Sequence, residues 1–318
     1  MKHPLVLALG GLALAGYLIS RTARRTCSFA GKVVLITGGS RGLGLVLARQ
    51  LCAEGARVAL LARDPDELGR AREELVQRGG EAFTVSCDLL DRAQTDAAVQ
   101  QVVGHFGGID VLINNAGIIE IGPLEHMQSA DFERAMNLHF WAPFNLIRQA
   151  IPHFRRRGGG RIVNVASIGG KMAVPHLAPY CASKFALVGL SDALRAELAR
   201  DRIHITTVTP GLMRTGSEGN AKFKGDHLAE YTWFSLSTAL PFASIKAERA
   251  AAQIISACRR GLPSLTIPLM ARATILGSAL FPNIAGSMLK VINAVLLPPP
   301  AGPDGDSSHS GSELASRQ

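Results

Sequence analysis

Short apolar runs alternate with longer amphipathic stretches through most of this chain. The runs are rich in Val, Ile and Leu and are bounded by Gly, Asp or Asn, which is typical of buried strands. The predicted strands are Lys32–Thr37, Val58–Ala62, Ala82–Cys87, Val111–Asn114, Arg161–Ala166, Ile203–Thr209 and Ser264–Pro268. Helical stretches between them predict an α/β fold, a doubly wound and mainly parallel sheet that binds ligands beyond the carboxyl ends of its strands.

The first residues follow a different pattern. From Leu5 to Ile19 every residue is apolar, Gly or Tyr, and three arginines follow without an acidic residue. A helix over this stretch would be about 26 Å long, close to the roughly 30 Å hydrocarbon core of a bilayer. We therefore predict that residues 1–27 are a membrane anchor with a basic flank. A cleavable signal peptide ending near Ala13-Leu14-Ala15 and a buried or interfacial helix are the alternatives. The positive charges follow the apolar run, and the positively charged side of a membrane helix usually lies in the cytoplasm. We therefore predict that the domain after the anchor faces the cytoplasm.

Residues 28–268 carry the whole alternating pattern, so we predict a single domain there. Residues 269–297 are mostly apolar but are interrupted by Arg272, Pro282 and Lys290. These interruptions argue against a second spanning helix and predict one or two amphipathic helices that rest on the bilayer or on a partner subunit. Residues 298–318 are rich in Pro, Gly and Ser without apolar periodicity, which predicts a disordered tail.

Composition and charge narrow the choice of partners. With 318 residues, 47% of them hydrophobic, the chain can bury a sizeable core. The net charge of +9 raises the question of nucleic acid, but several of the positive charges flank the apolar segment and no aromatic residues are interleaved with them. We predict acidic lipid headgroups as partners, and no nucleic acid. Five scattered cysteines and nine histidines without ligand spacing predict neither disulfides nor a metal site.

A glycine-rich turn follows the first predicted strand directly. Gly38-Gly39-Ser40-Arg41-Gly42-Leu43-Gly44 leads from that strand into an apolar helical segment at 45–53. Glycine permits positive φ and lets backbone N–H groups approach a pyrophosphate, which the positive end of the next helix also attracts. An ordinary glycine turn is the alternative, but the position between strand and helix favours a dinucleotide-phosphate site.

Tyr180 and Lys184 lie four residues apart, a spacing that puts a phenol and an ammonium on one face of a helix. A free phenol has a pKa of about 10, and lowering it by about three units takes roughly 4 kcal/mol. A nearby cation shielded from water can supply much of that, so we expect Lys184 to lower the pKa of Tyr180. Ser167 could then hydrogen-bond the reacting oxygen. Taken alone, such a pair is more often a solvated helix edge.

Further motifs complete the pattern: Asn114-Asn115-Ala116-Gly117, Asn137 in Met-Asn-Leu-His, and Pro210-Gly211 after the sixth strand. With the glycine turn, Ser167 and Tyr180-x-x-x-Lys184, the chain resembles the short-chain dehydrogenase/reductase family over roughly residues 31–268. The resemblance implies a Rossmann-like fold and the catalytic residues Asn137, Ser167, Tyr180 and Lys184. In that set Tyr180 is the proton donor, Lys184 also binds the nicotinamide ribose, and Asn137 holds a water in a proton relay.

The same resemblance implies a cofactor site. Its residues are Gly38, Ser40, Arg41, Gly42, Leu43, Gly44, Arg63, Asp88, Asn115, Ala116, Gly117, Tyr180, Lys184, Pro210, Gly211 and Thr215. NAD-preferring members carry an acid at the position of Ala62, whereas here Arg63 follows and Arg41 stands in the glycine turn. Two arginines suit a 2′-phosphate, so NADP(H) is the expected cofactor. The alternative is that Asp64 binds the ribose of NAD(H).

These assignments predict an NADPH-dependent oxidoreductase that interconverts a ketone and a secondary alcohol by hydride transfer. Segment 215–243 would select the substrate, and its aromatic residues either line a pocket for a lipophilic compound or pack the segment onto the domain. The membrane segment favours a lipophilic substrate by location alone. A non-catalytic NADP(H)-binding scaffold or sensor on the same fold is the alternative function. The resemblance also implies a dimer or a tetramer through the helix that bears Tyr180 and Lys184; the anchor and the carboxyl-terminal extension favour a homodimer.

Overall fold

The computed structural model describes residues 26–214, 216–239 and 244–316 of the chain. Its central strands are β1 (Val33–Thr37), β2 (Arg57–Ala62), β3 (Glu81–Ser86), β4 (Val111–Asn114), β6 (Gly160–Val165), β7 (Ile203–Pro210) and β11 (Ser264–Ile267). They form one seven-stranded parallel sheet in the order β11-β7-β6-β4-β1-β2-β3. Each predicted strand is present, so the doubly wound, Rossmann-like fold is confirmed. The predicted N-terminal anchor lies outside the described residues.

Helices cover both faces of this sheet. They are α1 (Gly42–Ala53), α2 (Pro65–Gln77), α3 (Arg92–Phe106), α4 (Ser129–Met136), α5 (Ala142–Arg156), α6 (Ala178–Glu197), α7 (His227–Ala239), α8 (Ala247–Arg260), α9 (Leu269–Leu280) and α10 (Pro282–Val295). Side chains of β1 alternate between two cores: Val34 and Ile36 pack with α1, α2 and α8, whereas Val33 and Leu35 pack with α3 and α5. Because both faces are buried, β1 is apolar up to its last residue, Thr37.

Short strands build two smaller sheets beside the central one. β8 (Leu212–Arg214) pairs in parallel with β10 (Ser244–Lys246). β9 (Lys222–Phe223) lies between β5 (Glu120–Ile121) and β12 (His309–Ser310). These pairings fasten the segment that follows β7 to the rest of the domain.

The expected disorder of residues 298–318 is wrong for the stretch that contains β12 and α11 (Gly311–Ala315). His309 and Ser310 pair with β9, Ser310 caps α11, and Leu314 is only 2% exposed. Order here comes from backbone pairing, a capping box and one large apolar side chain. None of these features produces a periodic pattern of apolar residues in the sequence, and the absence of such a pattern was the reason for expecting disorder.

Residues 269–297 form α9 and α10, which are bent by 115° relative to each other. Within the described ranges no single helix has the length and apolarity to cross a membrane, and these two helices reach that length and composition only when they are counted together as a bent pair. No side chain of α10 is buried. Whether the two helices rest on a bilayer or on a partner stays a prediction at this point.

Candidate active site

The carboxyl ends of β1 and β4 meet where the strand order reverses, which is where doubly wound sheets bind ligands. Thr37 Oγ1 accepts hydrogen bonds from the backbone N–H groups of Asn115 and Ala116, both at 3.0 Å. Asn115 Nδ2 donates to the carbonyl oxygens of Thr37 and Gly38, at 3.0 and 3.2 Å. The turns after the two strands are therefore tied together. Thr37, to which we assigned no role from the sequence, is one of the residues that hold them.

The glycine turn has the shape of a phosphate cradle. Gly38 has a φ of +62°, in the left-handed region that favours glycine. A Cβ on Gly44 would lie 2.1 Å from the carbonyl oxygen of Gly38, so a side chain there would fill the cradle. Gly42 begins α1, whose unpaired N-terminal N–H groups and positive dipole end face the turn, and Leu43 anchors this first turn in the core. The cradle thus fits a dinucleotide pyrophosphate.

Ser40 and Arg41 in this turn share a partner that the sequence did not reveal. Ser40 Oγ donates to Glu67 Oε2 at 2.8 Å, and Arg41 Nη1 donates to Glu67 Oε1 at 2.6 Å. Glu67 lies on α2, and its position in the chain carries no spacing signal that links it to the turn. A ligand phosphate that binds Arg41 must therefore compete with this carboxylate or lie beside it.

Asp64, the alternative ribose ligand, is the N-cap of α2. Its Oδ1 accepts the backbone N–H groups of Glu67 and Asp66, both at 2.9 Å, and these bonds lower the pKa of Asp64. Arg63 is exposed, and no carboxylate of the described residues pairs with it. The structure therefore leaves Arg63 freer than Asp64 to meet a ligand.

The other predicted cofactor residues lie along the same edge. Asp88 follows β3, is half-buried and accepts a local backbone N–H. Pro210 ends β7, and the N–H of Gly211 donates to the carbonyl oxygen of Ile267 at 2.7 Å. Thr215 lies outside the described residues.

Helix α6 brings the proposed proton donor and lysine to the end of β6. Lys184 is 4% exposed, and its Nζ donates to the carbonyl oxygen of Val165 at 3.0 Å. The same Nζ lies 5.7 Å from the centre of the half-buried Tyr180 ring. Ser167, just after β6, is buried and lies close enough to the phenol to act on its pKa. Three of the four predicted catalytic side chains are therefore neighbours.

The pKa values of this pair differ from our expectation. Burial raises the pKa of Tyr180 to about 12, although the Ser167 hydrogen bond acts in the opposite direction. Burial also lowers the pKa of Lys184 to about 7. Lys184 does not lower the phenol's pKa as expected, because its ammonium is directed at the Val165 carbonyl and its own charged form is disfavoured. The phenol therefore keeps its proton at neutral pH, as a proton donor must.

Asn137 begins a π-helical segment, Asn137–Trp141, between α4 and α5. Its side chain is exposed and makes no hydrogen bond to any residue that the structure describes. Such wide turns redirect side chains and are frequent at functional sites. The structure does not bring Asn137 into contact with Ser167, Tyr180 or Lys184, so a relay through it stays a prediction.

His139, in the same π-helical segment, belongs to a chain of hydrogen bonds to the Tyr180 backbone that we did not predict. The N–H of Ile118 donates to His139 Nε2 at 3.1 Å, which leaves the proton on Nδ1 to be donated to Ser183 Oγ at 2.7 Å. Ser183 in turn donates to the Tyr180 carbonyl oxygen at 2.9 Å. Burial, and then the Lys184 charge, lower the pKa of His139, so the ring is neutral. No spacing rule signals this chain of hydrogen bonds, because the π turn sets its geometry.

Gly117 lets the segment after β4 approach this cluster closely. A Cβ there would lie 3.1 Å from His139 Nε2 and 3.7 Å from Lys184 Nζ. Because residue 117 is Gly, only backbone atoms of this residue lie next to His139 Nε2 and Lys184 Nζ.

Apolar side chains of the segment after β7 belong to the cluster against which Tyr180 packs. Phe223 and Phe234 are buried in a cluster with Leu314, and Tyr180, Tyr231 and Trp233 pack against it. Phe223 meets Tyr231 edge to face, with ring centres 5.5 Å apart. These aromatic residues thus pack the segment onto the domain, in the same cluster that Tyr180 joins.

The fold and this site define a class of nucleotide-dependent oxidoreductases, and comparison with known proteins gives the family. The family model described as short chain dehydrogenase matches residues 32–224. The chain therefore belongs to the short-chain dehydrogenase/reductase family and is an oxidoreductase.

Three known proteins illustrate the similarity. The dehydrogenase/reductase SDR family protein 7-like of Anopheles gambiae is 37% identical over 223 residues, covering 68% of this chain and 70% of the relative. A fatty acyl-CoA reductase of Acinetobacter baylyi is 38% identical over 187 residues, covering 58% of this chain and 63% of the relative. The crystal structure of L-sorbose reductase from Gluconobacter frateurii, complexed with NADPH and L-sorbose, is 28% identical, with a TM-score of 0.68 over 76% of this chain and 96% of that one.

Proposed function

We propose that the protein is an NADPH-dependent reductase that interconverts a ketone and a secondary alcohol. The observation that carries the proposal is the placement of Ser167, Tyr180 and Lys184 together at the end of β6, with Lys184 Nζ bonded to the Val165 carbonyl and 5.7 Å from the centre of the Tyr180 ring. A neutral phenol in a desolvated site can donate its proton to a carbonyl oxygen that is becoming an alkoxide. The established oxidoreductase class requires a redox partner, which the cradle accommodates.

NADP(H) is the cofactor. Solved relatives hold NADPH or NADP, and here Ala62 leaves the end of β2 without an acid while Arg63 and Arg41 stand beside it. The Gly38–Gly44 turn and the start of α1 would hold the pyrophosphate, and Arg63 would meet the 2′-phosphate. When bound, the nicotinamide supplies the hydride for the reaction.

The protein's own groups manage the proton. Ser167 hydrogen-bonds the substrate oxygen and Tyr180 gives that oxygen its proton; in the oxidation direction Tyr180 takes the proton back. Lys184, fixed to the Val165 carbonyl, holds its Nζ below the Tyr180 ring and next to Gly117. The exposed Asn137 lies on the solvent side, where a water could restore the proton.

We further propose a lipophilic substrate. Tyr231, Trp233 and Tyr180 border the same apolar cluster, so a substrate next to the phenol would meet aromatic surface. A relative named fatty acyl-CoA reductase is in keeping with this choice. We also propose that residues 1–27 anchor the enzyme in a membrane with its catalytic domain in the cytoplasm.

Replacing Tyr180 with Phe tests the reaction directly. We expect NADPH oxidation with a series of aliphatic and cyclic ketones to fall by at least about a hundredfold, because the proton donor is removed. NADPH binding, followed by nicotinamide fluorescence, should change little. Tyr231→Phe is the matched control, since it removes a phenol at the edge of the same cluster and should retain turnover.

Two results would count against the proposal. Turnover that survives Tyr180→Phe would remove Tyr180 from the chemistry. A wild-type protein that binds NADPH but reduces no ketone in the series would support the scaffold or sensor reading.

A further inference from the structure

Helices α9 and α10, together the apolar hairpin, expose a large hydrophobic surface. Its large exposed side chains are between 59% and 76% accessible: Leu269, Met270, Leu276, Leu280, Phe281, Ile284, Met288, Val291, Val295 and Leu296. Single exposed apolar residues are ordinary, but ten large ones on or next to two successive helices mark an interaction surface.

The lengths of the two helices limit how the hairpin can meet a bilayer. At 1.5 Å per residue they are about 18 and 21 Å long, shorter than the roughly 30 Å hydrocarbon core. The 115° bend also prevents them from forming one straight span. A pair of this shape fits the interface of a bilayer, with its apolar side chains in the acyl region.

A cationic pocket lies at the base of the hairpin. This cavity of about 570 Å³ is lined by Arg214, Lys246, Arg249 and Arg272, with Gln253 and Thr266 between them and no acidic residue in its wall. In the described part of the chain no carboxylate pairs with any of these four cations. Like charges held together repel one another, and an anion in the pocket relieves that repulsion.

Arg272 joins the pocket to the hairpin. It lies in the first turn of α9, and its Nε donates to the carbonyl oxygen of Thr266 at 2.8 Å. This bond fixes the guanidinium at the pocket wall, with its other N–H groups left for a ligand. The anion site and the apolar surface are therefore parts of one structure.

We propose that the apolar hairpin inserts into a bilayer interface while the cationic pocket binds the headgroup of an anionic phospholipid. Charge complementarity selects this occupant. Residues 269–297 contain Arg272 and Lys290 but no Asp or Glu, so a second copy docked through this surface would bring cations to cations. A soluble phosphate would satisfy the pocket but leave the hairpin exposed to water.

The hairpin follows β11 at the carboxyl end of the sheet, so its contact with a bilayer bears on the position of the active site. α9 begins at Leu269, directly after β11, and the β11 carbonyl of Ile267 bonds Gly211 at the active-site edge. A bilayer on the hairpin therefore lies at the same edge of the sheet as the catalytic site. The contact does not depend on which carbonyl compound is reduced, and the tests below do not use turnover.

An environment-sensitive fluorophore on the hairpin tests insertion in the full chain. The dye is attached at Ile284→Cys, or for comparison at Glu73→Cys on α2, with Cys27 and Cys52 replaced by Ser. On phosphatidylcholine vesicles containing phosphatidylglycerol, we expect a blue shift and a brighter signal at 284 but not at 73. Because each label reports its own surroundings, tethering by residues 1–27 cannot produce this difference.

Two outcomes would overturn insertion. One is a label at 284 that stays in water on vesicles that bind the chain. The other is a blue shift that appears without vesicles and grows with protein concentration. That result would mean that a second copy of the chain, and not a bilayer, covers the hairpin.

Neutralising the pocket tests the headgroup site. Lys246→Gln/Arg249→Gln should weaken the response of the 284 label to phosphatidylglycerol by about tenfold or more, since each cation near an anionic surface contributes appreciably. Arg72→Gln/Arg200→Gln removes the same charge elsewhere and should leave the response unchanged. If the response of the 284 label weakened equally in both double variants, the effect would be due to net charge and not to the pocket. The lipid assignment would be overturned by two results together. Inorganic phosphate would bind the pocket with millimolar or better affinity, and the double substitution would leave the response to lipid unaltered. The pocket would then be a site for soluble anions.

Discussion

At the residue scale, Tyr180 and Lys184 are ionisable side chains that the fold keeps from water, and burial disfavours the charged form of each. The phenol retains its proton across the neutral range. The ammonium, with a pKa of about 7, is near its own titration point. Near neutral pH the protonation state of Tyr180 therefore does not change with pH, whereas the protonation state of Lys184 does.

Lys184→Met should remove part of the pH dependence of stability. An unfolded lysine keeps its proton up to a pKa of about 10.4, whereas folded Lys184 releases it near pH 7. Between these values the unfolded chain binds more protons, so stability rises with pH and is lost again as pH falls toward 7. In urea unfolding without cofactor, we expect the free energy of unfolding to rise more steeply between about pH 7 and 9 in wild type than in Lys184→Met. The exposed Lys171→Met should behave as wild type; parallel curves for all three would mean that Lys184 titrates normally.

His139 and Ser183 should act as one unit on Tyr180. Either His139→Phe or Ser183→Ala breaks the hydrogen-bond chain to the Tyr180 backbone. Because a small misplacement of a reacting group is costly, we expect kcat to fall about ten- to a hundredfold with little change in the KM for NADPH. The double variant should be no slower than the slower single variant, since both remove the same chain. Losses that multiply, or a KM effect without a kcat effect, would show that His139 does not position Tyr180.

At the element scale, the seven central strands could be predicted because each is an apolar run buried on both faces, so the signal is local. The position of Ser167, Tyr180 and Lys184 followed from strand ends and helix spacing in the same way. Three features could not be predicted: the Glu67 contact to Arg41, the π turn that places His139, and the pairing of β12 with β9. Each depends on residues that are distant in the chain or on a helix that departs from regular spacing.

The segment that contains β12 and α11 should hold the aromatic cluster beside Tyr180. Leu314 packs with Phe223 and Phe234, and Gly311 N–H bonds the Ala221 carbonyl. Leu314→Ala should therefore speed hydrogen exchange in β9 and in residues 309–315 and raise the KM for ketones, because a buried leucine truncated to alanine leaves a cavity. Global stability should fall less than for a central-core leucine. Leu296→Ala, at an exposed leucine, is the control, and equal exchange in both variants would mean that the segment does not support the cluster.

At the scale of the whole molecule, two exposed surfaces of different character flank the catalytic edge. One is the apolar hairpin with its cationic pocket, which suits lipid. The other, here called the aromatic surface, comprises Phe140, Trp141 and Phe144, whose rings contact one another on the π turn and α5, and the exposed Phe185 on α6, which packs against the π turn. Trp141 and Phe185 are 49% and 43% exposed. Rings of this size contribute strongly to protein interfaces, and here they lie on the helices that carry the catalytic groups.

We therefore predict a homodimer through the aromatic surface and not through the hairpin. In an isologous pair each substitution acts twice, so Trp141→Glu/Phe185→Glu brings four carboxylates into one apolar contact and should give monomers. Light scattering during size-exclusion chromatography in mild detergent measures the mass of the protein, and circular dichroism checks that the variant is folded. Met288→Glu on the hairpin should remain dimeric, because that surface meets lipid or detergent in place of a second copy. A folded Trp141→Glu/Phe185→Glu protein that stays dimeric would show that the aromatic surface is not the dimer contact. A monomeric Met288→Glu protein would place the contact on the hairpin and leave the cationic pocket without its bilayer.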